Sequence, residues 1–350
     1  MSQDEEMSAL SELLGPGEST PRRFSAGELV ACGECARANP PTRMNCIYCG
    51  AALPVTAESE ALRRPTLRKL EEWENGFNLV LSPRREAKSP SPEALAEAAD
   101  LLRLEAAQLS ACVEAGTALP VARAATLEEA QLIERRLRAL GLSVEAVSDE
   151  ELGASKMPKR IRALEITDDE LVGWGGPEED AGGVAWGEVE LFVAGRIFTK
   201  RLEVEEVRKR LKGRQETIDA REMLFDEAVL DIFHASDEGG AGWRIMAESF
   251  DYSCLGARKG LLARDNFNTL VETLRARALT AEFDEDYVRL RHLLAAVWPL
   301  AERTESLGLR RSRPGRLSTE AVTTASNEMQ FTRYARLRQV LARKGRKRLT

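Results

Sequence analysis

Four cysteines carry the clearest chemistry in this chain: Cys32-Gly-Glu-Cys35, ten intervening residues, then Cys46-Ile-Tyr-Cys49. A C-x₂-C turn presents two thiolates from one tight knuckle. Two knuckles close a tetrahedron of soft ligands around a metal such as zinc, at about 2.3 Å. All four corners are then protein sulfur, so no position stays open for a water nucleophile and the expected role is structural. Residues 30–54 hold almost no apolar core of their own. The ion must therefore hold them folded, with apparent binding energies of about 10–16 kcal/mol for sites of this kind near neutral pH. The spacing also admits an iron–sulfur cluster or a redox dithiol pair.

No other constellation points to chemistry. Cys112 falls near the apolar stripe of a helix and Cys254 in an apolar strand, where a free cysteine is expected to pack in the core. The two histidines, His234 and His292, have no sequence-local Ser, Cys or ligand partner. Asp168-Asp169-Glu170 lacks the spacing of a calcium loop and reads as a turn. There is no G-x-x-x-x-G-K-[ST], no G-x-G-x-x-G after a strand and no G-x-S-x-G. No catalytic residue is assigned, and a non-enzyme is expected.

The segment CGECARANPPTRMNCIYCGAALP resembles the bacterial zinc-ribbon family, through Cys32, Cys35, Asn39, Pro40, Cys46, Cys49, Gly50 and Leu53. It is also similar to zinc fingers of the Ran-binding-protein type, through Asn39. Some members of that family bind single-stranded RNA with arginines and a stacking tryptophan two residues before the first cysteine. That position is Val30 here, and losing the stacking platform removes about 1–3 kcal/mol per base. Arg37, Arg43, Asn45 and Tyr48 remain as candidate contacts, against solvated residues on a small knob as the plainer reading.

Charge is distributed unevenly. The 350 residues sum to −7, yet twelve basic residues between Leu309 and Thr350 face only Glu320 and Glu328, a local +10 that leaves −17 elsewhere. Residues 326–344 read as a helix with Phe331, Tyr334, Leu337 and Leu341 on one side and arginines on the other. Arg333, Arg336, Arg343, Lys344, Arg346, Lys347 and Arg348 could meet nucleic acid or an anionic membrane. They could equally fold back onto the acidic body of the chain, which is the nearer partner.

The elements expected to carry these features form an α+β multidomain chain. An acidic, disordered arm covers 1–29, the ribbon 30–54 and a linker 55–75. Residues 76–152 read as an α/β sandwich: strand Phe77–Leu81, a helix from Ser91-Pro92 to Gly116, strand Leu119–Arg123, a helix opened by the Thr126/Glu129 capping box, and strand Leu142–Val147. This stretch resembles the ferredoxin-like class, and Glu93–Val147 resembles the C-terminal domain of the bacterial ribosomal stalk protein. The likeness implies topology and no functional residues.

Residues 158–280 read as β-rich, with strands Ile161–Ile166, Leu171–Trp174, Glu188–Phe198, Ala228–Phe233, Trp243–Ala247 and Phe250–Leu255, Gly195-Arg196 as a bend or bulge, and a helix after Asp265. The pattern resembles a pleckstrin-homology-like split barrel. A further helix is expected over 281–305, then a basic tail over 306–350. The acidic N-terminus lacks a signal-peptide pattern and no run is apolar enough to span a membrane, so a cytoplasmic location is the default. The expected function is binding, scaffolding or regulation through protein contacts. The alternative is RNA or DNA binding through the tail and the ribbon.

Overall fold

The computed structural model describes residues 23–55, 59, 62–63, 65–71, 74–83, 90–153, 155–176, 179–209, 215–235, 240–313 and 316–347. Most of the acidic arm lies outside the described residues. The chain divides into two units, Met1–Thr66 and Leu67–Thr350.

In the first unit, β1 (Val30–Ala31) pairs antiparallel with β2 (Ala38–Asn39), and Asn45 bridges Ala52. Its small core is Cys32, Cys46 and Leu53, with Val30, Cys35 and Ala51 against them. The Arg63 guanidinium is buried and donates to the carbonyls of Leu53 (3.3 Å) and Pro54 (2.8 Å), which fixes the chain as it leaves the second knuckle.

The second unit begins with an antiparallel three-stranded sheet in the order β4-β3-β5, where β3 is Phe77–Leu81, β4 Leu119–Ala124 and β5 Val144–Ser148. Between β3 and β4 lie two helices, α1 (Pro92–Leu102) and α2 (Ala106–Glu114), where the apolar periodicity predicts one. The break is a Schellman turn. Arg103 sits in the left-handed region at φ 57°, its N–H donates to Asp100 O, and the next N–H, of Leu104, reaches back to Ala99 O at 2.9 Å. Leu104 then packs on the core, closing the turn with an apolar contact.

Arginine is strained in that conformation and glycine is not. Arg103 is exposed, so Arg103→Gly is expected to stabilise the unit by about 0.5–1 kcal/mol. The denaturation midpoint checks this, and a lowered midpoint would refute it.

Helix α3 (Leu127–Ala139) starts at Thr126, whose side chain accepts from Glu129 N. Glu129 does not close the expected box on Thr126 N. Its carboxylate accepts instead from Ala125 N (3.2 Å) and Leu67 N (2.9 Å). A short helix α4 (Asp149–Leu152) follows β5.

β6 (Lys159–Ile161) and β7 (Ala163–Ile166) replace the single expected strand over 161–166. β6 joins a large sheet, while β7 pairs with β8 (Glu170–Gly176) and β9 (Glu179–Ala185) in a separate antiparallel one. β10 (Val189–Lys209) and β11 (Gln215–His234) run well past the expected strand ends. β12 is Trp243–Met246, and the strand expected over 250–255 is a 3-10 segment, Tyr252–Arg258, capped by Asp251 onto Ser253 N. Helix α5 (Ala263–Arg277), β13 (Glu282–Asp284) and helix α6 (Tyr287–Leu294) follow.

The helix expected to continue to 305 stops there. Pro299 follows Trp298, and the chain turns into a hairpin of β14 (Ala301–Arg313) and β15 (Arg316–Ser326) before helix α7 (Glu328–Lys347). The large sheet has the order β14-β15-β10-β11-β12-β6, with β13 parallel to β10, and curls into a half-barrel.

The centre of this sheet is covered on both faces. Along β10, Leu191 and Val193 belong to one apolar cluster and Phe192 to another; along β11, Val229 and Phe233 alternate likewise with Leu230 and Ile232. This is the period of two that a strand buried on both faces requires. The Phe192 face packs under α5. The Leu191 face packs against α6 and α7 in a cluster that also contains the strands and helices of residues 77–152, so those two expected domains share one core.

Gly195 pairs with Val229 without a bulge, contrary to expectation; the register shifts fall at Val189/Leu191 and Glu205/Glu206. The glycine serves close approach instead. A Cβ there would lie 2.5 Å from the Phe331 ring and 3.0 Å from Tyr287.

Candidate metal centre

The four cysteine sulfurs of the first unit all lie within 4.8 Å of one another, so the cluster could hold a metal ion. Cys32 Sγ is 3.6 Å from Cys49 Sγ, and Cys35 Sγ is 3.6 Å from Cys46 Sγ. Each knuckle is a tight turn. In the first, Ala36 N donates to Cys32 O (2.9 Å) and Ala36 takes a left-handed φ of 56°, after which Cys32 N returns to Arg37 O. In the second, Gly50 N donates to Cys46 O (3.0 Å) with Gly50 at φ 77°, and Cys46 N donates to Ala51 O (2.8 Å). Glycine occupies that position without strain.

Asn39 joins the two knuckles. It is fully buried; its carboxamide oxygen accepts from Ile47 N (2.9 Å), and its Nδ2 donates to Arg37 O (2.8 Å) and to Cys46 Sγ (3.5 Å). Tyr48 N also points at Cys46 Sγ, at 3.4 Å. These donors are the outer-shell groups that orient a thiolate ligand and spread its charge.

Burial alone would raise the Cys46 thiol. The N–H groups of Tyr48 and Cys49 and the side chains of Asn39 and Cys35 overcome it and bring the group to about 6. Cys49 receives a lowering hydrogen bond from Ala51 N, yet Cys32, burial, and the other two thiols push it to about 12. The cluster therefore favours one thiolate and makes another costly, which a cation at its centre would relieve. A cation held by the cluster would bind its sulfurs as thiolates and so would release the protons that the thiols still carry. The donor set fits a soft divalent ion, and among the described residues no other group of three or more His, Cys, Asp or Glu side chains converges in this way.

The other residues singled out in the sequence are placed as follows. Cys112 is buried, and burial raises its thiol to about 11. Cys254 sits in the 3-10 segment, half-buried, its thiol likewise raised by burial. His234 is buried edge-on to Trp243 at 5.3 Å, and His292 is exposed on α6. Asp168 and Asp169 form the turn between β7 and β8, Glu170 opens β8 and accepts at its carbonyl from Thr167 N and Oγ1, and Asp168 pairs with Arg277 at 2.8 Å.

Several cations of helix α7 meet the chain's own groups. Arg336 donates to Lys156 O (3.0 Å) and Arg343 to Glu190 (2.9 Å). Lys344 pairs with Glu145 and with Glu151 (2.9 Å), and Arg346 donates to Glu190 O (2.7 Å). Arg333 is half-buried, Lys347 ends the helix, and Arg348 lies outside the described residues. Sequence reasoning missed Arg338, which pairs with Asp284 (2.7 Å) and donates to Thr117 (3.0 Å). Asp284 and Thr117 lie far from it in sequence, and no local pattern marks the contacts.

Comparison of the chain with protein families, with curated proteins and with solved structures gives no match.

Proposed function

We propose that this chain is a non-enzymatic zinc-ribbon protein that acts in binding, scaffolding or regulation, with the ribbon as its docking knob. The observation that carries the reading is a closed four-thiol cluster beneath an exposed apolar knuckle. Ile47 is 50% and Tyr48 54% exposed, between two metal-ligating cysteines, and the Arg37 guanidinium covers the Tyr48 ring at 4.8 Å. The cluster offers no open corner for substrate, whereas rigid knuckles present Ile47 and Tyr48 at little entropic cost.

The test is a double variant, Ile47→Ala with Tyr48→Ala, compared with the native chain for zinc content and for proteins that co-purify at defined stoichiometry. The variant is expected to keep about one zinc per chain and to lose a partner that the native chain retains. An unchanged partner set, or a turnover activity in the native chain that depends on a side chain outside the ribbon, would overturn the reading.

Nucleic-acid binding through α7 receives less support, because Arg336, Arg343, Lys344 and Arg346 are engaged within the chain. The strand-helix-helix-strand-helix-strand order of residues 77–148 supports the stalk-like reading of that segment over a ferredoxin-like one. Helix α5 against the curled sheet lends some support to the barrel-like reading of the β-rich segment, and the parallel strands β6 and β13 lend none.

A further inference from the structure

The two edges of β11 are covered unequally. Along one edge it pairs with β10 from Gln215 to His234. Along the other, β12 covers only Val229–Ile232, and after Met246 the chain leaves the sheet in a 3-10 turn, Ala247–Ser249. Residues 219–226 of β11 therefore have no strand partner on that side among the described residues. An extended strand points alternate N–H and C=O groups to each side, so this stretch is a template for one more strand.

Such edges are commonly blunted by charge. Here Glu222 is tied to Lys200 (3.0 Å) and Asp226 to Arg196 (3.1 Å), while between them Leu224 is 67% and Phe225 58% exposed. Neighbouring residues of a strand point to opposite faces, so an added strand would meet one apolar side chain on each face.

On the Phe225 face the edge borders a cavity of about 840 Å³, lined by Ile197, Phe225, Glu227 and Met246. Register sets these on one face: Ile197 is opposite Glu227, Thr199 is opposite Phe225, and Met246 is opposite Val229, two residues along β11 from Glu227. Arg244 and Arg160 also line the cavity, but Arg244 is held by Asp231 and Glu328, and Arg160 donates to Ser249 Oγ (2.9 Å). Glu227 accepts the Glu248 N–H at 3.3 Å and forms no ion pair among the described residues. Burial is the main cause that raises its carboxyl above the ordinary value, and a cation beside it would offset that.

We propose that the uncovered edge of β11 receives an extended segment of a partner protein as an added strand. Its apolar side chain lies opposite Phe225, and two residues from it, at the end next to β12, a lysine or arginine reaches Glu227. Main-chain hydrogen bonds supply affinity in this mode, and the cavity reads the side chains. The surface belongs to the second unit and stands whether or not the ribbon docks a partner. A second copy of this chain fits less well, because Glu222–Glu227 contains three carboxylates and no cation, and two such edges would set like charges together.

The test is selection of random displayed peptides of about eight residues, long enough for one strand, on the full chain. A selected peptide is then synthesised with a label and its affinity measured by fluorescence anisotropy. The selected peptides are expected to carry Lys or Arg two residues from an apolar residue. Glu227→Lys is expected to weaken binding at least about tenfold, and the peptide with its cation changed to Glu should regain most of that loss on the variant. N-methylating one alternate set of peptide amides should abolish binding, and methylating the other set should leave it within about threefold, because only one edge of the peptide faces β11. The Ile47→Ala, Tyr48→Ala variant is expected to bind as the native chain does.

Failure to enrich peptides, enrichment without the cation–apolar spacing, Glu227→Lys equal to native, or no recovery on charge exchange would each overturn the proposal. So would equal effects of the two N-methylated sets, loss of binding in the ribbon variant, or a dimer in sedimentation that Leu224→Asp dissolves, which would assign the edge to a second copy.

Discussion

Replacing Cys32 by serine is expected to strip the chain of its metal and unfold the ribbon. The reason lies in how little else holds this segment. Two of its three buried core residues, Cys32 and Cys46, are candidate ligands, and the third is Leu53. Burying one leucine contributes about 1.5–3 kcal/mol, far below the entropy of ordering some twenty residues at about 1–2 kcal/mol each. A tetrathiolate zinc site supplies about 10–16 kcal/mol, which covers much of that cost. A serine hydroxyl is a hard, neutral oxygen in a site built for soft thiolate, so affinity should fall by orders of magnitude. Metal per chain is expected to drop from about one to near zero, and residues 36–48 should become sensitive to protease in the variant alone. Full metal occupancy in the variant would defeat the four-thiolate site.

The second large effect is expected at Asp231. This carboxylate is 1% exposed and takes a bidentate grip from Arg244, directly opposite it on β12: Nε to Oδ1 and Nη2 to Oδ2, both 2.7 Å. Arg244 is itself buried, and its remaining donors reach the first turn of α7, at Thr332 Oγ1 (3.0 Å) and Glu328 Oε1 (3.2 Å), while its guanidinium lies 5.1 Å from the Phe331 ring. One charge pair therefore pins α7 to the sheet. Asp231→Ala would leave a buried guanidinium with only the half-exposed Glu328 as counter-ion, at a cost of about 3–5 kcal/mol. Replacing both partners, Asp231→Leu with Arg244→Met, removes the stranded charge and should recover most of that loss. Chemical denaturation of the single and double variants decides it. A double variant as unstable as the single one would show that packing, not charge, is at stake.

What the sequence makes legible follows the range of the interaction. The cysteine knuckles, the Ser91 and Thr126 caps and the strands Phe77–Leu81 and Leu119–Ala124 depend on neighbours within a few residues, and they read correctly from spacing and alternation. Asn39 was visible as a family-like position, though its hydrogen bond to Cys46 was not. The long reach of β10 was hidden because seven of the ten residues in Lys200–Lys209 are charged, and the short alternation of Leu202 and Val204 is too brief to mark the segment as strand. The β14–β15 hairpin was masked by its arginine content, although Pro299 and the dipeptide Pro314-Gly315 were available as stop and turn signals.

The shared core was the least accessible feature. Asn78 accepts from Trp298 Nε1 (3.0 Å), Gln330 donates to Trp298 O (2.8 Å), and Tyr287 links Gln330 to Asn327. These partners are separated by 32 to 220 residues, and no local pattern encodes such pairings.

The most direct measurement of the central claim is elemental analysis of the purified native chain combined with X-ray absorption at the metal edge. One zinc per chain, bound by four sulfurs at about 2.3 Å, is the predicted result. Iron in place of zinc, a shell with fewer than four sulfurs, or a folded ribbon without metal would contradict it.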